Sequence, residues 1–166
     1  MKRTAAICLV LVFICVGTVN AQDDTICRFI QDGLSLFGQT EAEMIAGLGQ
    51  PEKTDTQKLA SMWYEGEFDV VTTLWYPGLY LETLYLYQQE YSCEYPLMVD
   101  VTDPSIEMTR GLGVGVSREQ VWDVLGEPMM VSPEVGYWMY ECEAEDVYFY
   151  FSGDTVNRIA FHGYFP

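Results

Sequence analysis

One short passage is written twice in this chain. GQTEAEMIAGLGQP runs from Gly38 to Pro51 and GVSREQVWDVLGEP from Gly115 to Pro128, at a constant offset of 77 positions without a gap. The duplication constrains the fold more than any other feature, because the matches fall where backbone geometry is demanding. Thr40 and Ser117 each stand three residues before Glu43 or Gln120, the spacing of a capping box that satisfies the free N–H groups of a helix start. Met44, Ile45 and Leu48 in one copy, and Val121, Trp122 and Leu125 in the other, recur at helical spacing. Gly49 and Gly126 suit a left-handed residue after the last turn, and Pro51 and Pro128 stop the helix from continuing. Each copy is predicted to be one short amphipathic helix.

The likeness continues past the helices with small slips. Tyr64, Glu65, Glu67 and Val71 align with Tyr140, Glu141, Glu143 and Val147 at an offset of 76; Leu81, Leu84 and Leu86 align with Val156, Ile159 and Phe161 at 75. Val147 to Phe151 reads VYFYF, Ser-Gly-Asp makes a turn, and Val156 to His162 alternates again, all strand and hairpin signals. Pro77 and Gly78 supply a matching turn in the first copy. Leu97 to Thr102 reads as a crossover strand linking the two units. The expected fold is α+β: two tandem helix-plus-antiparallel-meander repeats forming one sheet, with short helices packed on one face. The expected division is a signal peptide at 1–21, a first repeat with its crossover strand at 22–103, and a second repeat at 104–166.

Lys2 and Arg3 precede an apolar run from Ala5 to Gly17, and Val19 to Ala21 has a small-residue cleavage pattern, so cleavage is expected after Ala21. The run is too short to span a bilayer. Ile14 precedes Cys15 where a lipoprotein needs a small residue, which argues against lipidation. The expected location is periplasmic or extracellular. Removing Lys2 and Arg3 leaves 6 basic residues against 25 acidic ones, a formal charge of −19. Nucleic acid is thereby excluded as a partner, since phosphate binding needs a basic surface. A basic protein or a cation fits such a charge, and so does a simple solubilising role in a tyrosine-rich chain. Cys27, Cys93 and Cys142 follow the cleavage point; an oxidising compartment favours one disulfide and one leftover thiol, with all three pairings open.

A tandem of units with a G-x-[ST]-x-x-[EQ] start and an L-G-x-P stop resembles the beta-lactamase inhibitor protein fold. It is also similar to the outer-membrane assembly lipoproteins of the SmpA/OmlA type, which use one such unit. The resemblance covers about Gly38 to Phe161 and implies helices on one face of an antiparallel sheet, with the other face a concave platform for protein partners. The chain departs from the lipoproteins in lacking their lipidated cysteine, and the inhibitor's contact loops have no residue-by-residue match here.

Strand alternation sorts side chains onto two faces. If Tyr140, Val147, Phe149, Ile159 and Phe161 face the helices, then Met139, Glu141, Glu143, Tyr148, Tyr150, Ala160 and His162 face away. The first copy is expected to add Trp63, Glu65, Glu67, Thr72, Leu74, Tyr85 and Tyr87 to that outer face. The expected binding surface is therefore Trp63, Glu65, Tyr85, Tyr87, Met139, Glu141, Tyr148, Tyr150 and His162, aromatic at its centre and acidic at its margin, as protein-recognition surfaces often are. The alternating acids Glu65, Glu67 and Asp69, with Glu141, Glu143 and Glu145, are carboxylates of the kind that hold Ca²⁺, but no contiguous calcium loop exists and solvated edges explain them better. His162 is the sole histidine, and no G-x-S-x-G, H-E-x-x-H or C-x-x-C motif occurs. GLGVG at Gly111 to Gly115 lacks the lysine and strand-to-helix setting of a phosphate loop. The expectation is a non-enzymatic binding protein with no catalytic residue, metal or cofactor, engaging a protein the sequence does not identify. The alternative is a structural envelope component or homo-oligomer that buries the same face.

Overall fold

The computed structural model describes residues 21–88 and 92–164. The expected targeting segment falls outside the described residues, apart from Ala21, which opens the first helix. The elements in chain order are α1 (Ala21–Ser35), α2 (Glu41–Leu48), β1 (Lys53–Ala60), β2 (Phe68–Tyr76), β3 (Leu79–Leu86), β4 (Cys93–Val101), α3 (Arg118–Leu125), β5 (Met130–Ser132), β6 (Tyr137–Cys142), β7 (Glu145–Ser152) and β8 (Thr155–His162). A short 3₁₀ turn, Thr109–Gly111, precedes α3.

Both duplicated segments form helices where their caps place them. Ser117 and Gln120 make the full reciprocal box: Gln120 N–H donates to Ser117 Oγ at 3.2 Å, and Ser117 N–H donates to Gln120 Oε1 at 2.9 Å. Thr40 caps Glu43 N–H at 3.2 Å, but the Glu43 carboxylate reaches one residue further back, to Gln39 N–H at 2.8 Å. Gly49 and Gly126 close the helices with φ of 85° and 76°, values that favour glycine, and their N–H groups donate to Ile45 and Trp122 carbonyls.

The sequence reading did not anticipate α1. It lays Ile26, Phe29, Ile30 and Leu34 into the core over β4, β6, β7 and β8. Phe29 sits 5.8 Å from the Phe149 ring and 5.4 Å from the Phe161 ring. Gly33 lies so close to the Phe161 ring that a Cβ there would collide with it. Of the three cysteine pairings, the structure has Cys27–Cys142, which ties α1 to the end of β6, and leaves Cys93 as a free thiol.

All eight strands form one antiparallel sheet in the order β1-β2-β3-β4-β8-β7-β6-β5. Each of α2 and α3 is followed by four strands, and the two sets meet where β4 pairs with β8, from Met98↔His162 to Val101↔Ile159. Leu97 to Val101 thus forms part of the strand at this junction. Residues of all three helices share one apolar core with Leu74, Leu81, Val99, Val147, Phe149 and Phe161, so the helices lie on the same side of the sheet.

The first half corrects part of the face assignment. Leu74 is fully buried in the helix-side core, and Thr72 shares its face two residues earlier in β2. Tyr85 lies on the helix side as well: it follows Leu81 by four residues in β3 and pairs with Glu94, whose carboxylate accepts from Glu41 N–H at 2.6 Å at the start of α2. Trp63, Glu65 and Glu67 are not strand residues. They occupy a seven-residue loop, 61–67, between β1 and β2, whereas β6 and β7 are joined by two residues, Glu143 and Ala144. That loop is why an ungapped alignment of Tyr64 to Val71 onto Tyr140 to Val147 puts side chains on the wrong face.

Candidate functional site: the uncovered face of the sheet

The side of the sheet away from the helices carries a connected aromatic layer. Cross-strand pairing brings its members together: Tyr137↔Tyr150 and Met139↔Tyr148 between β6 and β7, Tyr148↔Ala160 and Tyr150↔Arg158 between β7 and β8, and Asp100↔Ala160 between β8 and β4. Tyr137 meets Tyr148 at 5.2 Å and Tyr150 at 5.7 Å, both edge-on, while Tyr148 stacks on the His162 ring at 5.0 Å in a tilted geometry. Further along, Trp75 and Tyr80 form a T-shaped pair at 5.6 Å with the Lys53 ammonium over the indole at 4.1 Å. These side chains are half-buried, and together they cover Ala160 completely and Met139 almost so. No helix among the described residues covers this layer.

Polar groups are set into the aromatic surface with their bonds made. Arg158 donates from Nε to both carboxylate oxygens of Asp100 at 2.9 Å, and its guanidinium lies 4.6 Å from the centre of the Tyr150 ring. The Asp100 hydrogen bonds hold the Arg158 pKa above its ordinary value. Tyr80 donates to Glu82, which also accepts from Thr73 at 3.3 Å; burial first, and then the Glu82 carboxylate, push the Tyr80 phenol up to about 12. Burial and the neighbouring Asp146 raise Tyr148 likewise. Both phenols therefore stay protonated as donors through the physiological range. His162 Nδ1 lies 2.9 Å from Asp146 Oδ1, a buried oxygen with no other hydrogen-bond partner among the described residues. An N–H on His162 Nδ1 is placed to satisfy that oxygen.

The nine residues expected to form the surface divide into two groups. Met139, Glu141, Tyr148, Tyr150 and His162 lie together on this face. Tyr85 is on the helix side, its hydroxyl bonded to Ser92 Oγ at 2.7 Å. Trp63 and Glu65 project from the 61–67 loop, Trp63 with 66% exposure, and Tyr87 stands just past β3, its ring edge-on to Tyr64 at 5.8 Å. The sequence reading missed Trp75, Tyr80, Tyr137, Asp100 and Arg158. Alternation through β2 and β3 signals the first two once Leu74 and Leu81 are recognised as core.

Both acidic triplets reach the same end of the sheet, Glu65, Glu67 and Asp69 leading into β2 and Glu141, Glu143 and Glu145 around the β6–β7 turn. Four strand spacings of about 4.8 Å, roughly 19 Å, separate β2 from β7, too far for the triplets to share one ion. Among the described residues no group of three or more ligating side chains is placed to hold a metal, and no helix is long and apolar enough to cross a membrane.

Comparison with known proteins returns no matching family model, no matching curated protein and no matching solved structure.

Proposed function

We propose that this chain is an exported, non-enzymatic binding module built from two tandem helix-plus-four-strand units, with the uncovered aromatic face as the docking surface for another protein. The observation that carries the reading is the one-sided placement of the helices, which leaves a layer of half-buried tyrosines with ordered polar groups on the opposite side. Aromatic side chains bring large contact area at low entropic cost. The charge of −17 over the chain favours a partner with basic groups around an apolar contact. Helices on one face and an open sheet on the other are also what the resemblance to the beta-lactamase inhibitor fold implies. Lys2, Arg3 and the apolar run after them support export, and a disulfide between Cys27 and Cys142 suits an oxidising compartment.

The test is a photo-crosslinking residue at Tyr150, with the same residue at Trp122 on the helix side as control, presented to native envelope and culture medium. A protein captured from Tyr150 alone, and lost in a folded Tyr148→Ala, Tyr137→Ala variant, supports the reading. Equal capture from both positions, or capture indifferent to the tyrosines, overturns it. Sizing of the purified chain addresses the homo-oligomer: a stable dimer whose Tyr150 crosslinks to itself assigns the face to self-association.

A further inference from the structure

Between the two acidic triplets, at the same end of the sheet, a groove of about 560 Å³ opens beneath the C-terminal part of α1. Its volume falls within the range of about 300–1,000 Å³ typical of small-molecule sites. Leu34, Leu86 and Pro96 form apolar walls, Tyr95 and Tyr164 add aromatic ones, and Glu145 is the sole charged residue lining it among the described residues. The electrostatics there are one-sided. No lysine or arginine stands in any described loop at this end (61–67, 87–88, 143–144 or 163–164), while carboxylates flank the groove on both sides. Burial and the adjacent Glu143 raise the Glu145 carboxyl above the usual range, the behaviour of a carboxylate lacking a positive neighbour. Glu94, by contrast, is occupied with Glu41 N–H. What such a site lacks is a positive charge on an apolar stem.

We propose that this groove binds a small organic cation, an ammonium carried on an apolar body, with Glu145 as its counter-ion and the Tyr95 and Tyr164 rings as its walls. Each component has a separate physical role. The apolar walls desolvate the body, the carboxylate pairs with the ammonium where water is partly excluded, and a ring face attracts a cation by its quadrupole. The same arrangement rejects anions, which would face Glu145 and both triplets. The site lies apart from the aromatic sheet face, so its ligand and a docked protein do not compete for the same residues.

Phenethylammonium is the probe, with phenethyl alcohol as its neutral analogue and 3-phenylpropionate as its anionic one, titrated into the full chain by calorimetry. The expected result is saturable binding of the amine, weaker binding of the alcohol and none of the anion. Glu145→Gln, which keeps side-chain volume, is expected to weaken the amine at least tenfold, and Gln31→Trp is expected to block it by filling the groove from the exposed side of α1. Amine binding is also expected to fall as pH drops from neutral and to do so at a higher pH than an ordinary glutamate would dictate, because Glu145 loses its charge earlier. Circular dichroism of both variants shows whether each is folded. Equal affinity for amine and alcohol, amine binding that survives either variant, or no binding at about 10 mM amine overturns the proposal; crosslinking from Tyr150 is unaffected by any of these results.

Discussion

The two halves of the sheet start from helices with nearly the same caps, yet what lies between helix and sheet differs. In the β5–β8 half, Phe29, Tyr140, Phe149 and Phe161 fill that space, and a disulfide fastens α1 over it. In the β1–β4 half, Met44, Leu74, Leu81 and Val99 are buried but no buried aromatic ring joins them, Thr56, Thr72 and Thr83 stand in register across three strands on the helix side, and β1 gives nothing to the core. A fully buried phenylalanine contributes about 1.5–3 kcal/mol, whereas a buried threonine hydroxyl is neutral at best and only when bonded. Similar local signals thus produce similar helices without producing equal stability. The apolar area beneath them decides that.

Breaking the comparison on its strong side should have the largest effect. Phe29→Ala removes a ring packed on two others and is expected to destabilise by about 4 kcal/mol, read as a lower urea midpoint. Hydrogen exchange on the unmodified protein should show the contrast directly, with β1 and β2 amides exchanging by local opening well before those of β7 and β8. If β1 and β2 are protected as long as β8, the two halves form one cooperative unit and the contrast fails. Next, replacing Cys27 and Cys142 with alanine opens a loop of 115 residues and is expected to cost about 3 kcal/mol. Its loss of exchange protection should concentrate in α1 and β6. The smallest effect sharpens the comparison, because each half ties a strand tyrosine to the glycine that ends its helix. Tyr140 Oη donates to Gly126 O and Tyr76 Oη to Gly49 O, both at 3.0 Å. Tyr140 is buried and Tyr76 is half-exposed, so Tyr140→Phe is expected to cost about 1–1.5 kcal/mol and Tyr76→Phe less, since water can replace only the second bond.

The helices α2 and α3 were legible because their signals are local: a hydroxyl, an acid or amide three residues on, and a glycine before a proline. The inward set Val147, Phe149, Ile159 and Phe161 was legible for the same reason, as it lies on the side of the β8 bulge where both strands alternate without interruption. β1 was not, since KTDTQKLA is polar on both faces, as befits an edge strand with neither side buried. α1 carried a readable stripe in Ile26, Phe29, Ile30 and Leu34, but its position beside a cleavage signal drew attention to processing. The face of Leu74 was misread because a loop length, unlike a cap, leaves no fixed signature, and that of Tyr85 because β8 carries a bulge at Asn157 that β3 lacks, so the two strands fall out of phase. The Cys27–Cys142 bond and the Asp100–Arg158 pair join residues distant in sequence, and their proximity exists only once the sheet is formed.

The place of β8 bears on how the chain must be assembled in time. Every other strand precedes it in the sequence, yet it sits in the middle of the sheet, between β4 and β7. A nascent chain emerging from the ribosome can pair β1 through β4 early, but the inner edge of β4 stays unsatisfied until the segment 155–162 has been made. The core that Ile159 and Phe161 complete closes no sooner. The sheet therefore cannot close until nearly every one of its strands has been made, and an unclosed sheet leaves the chain pliable for that interval.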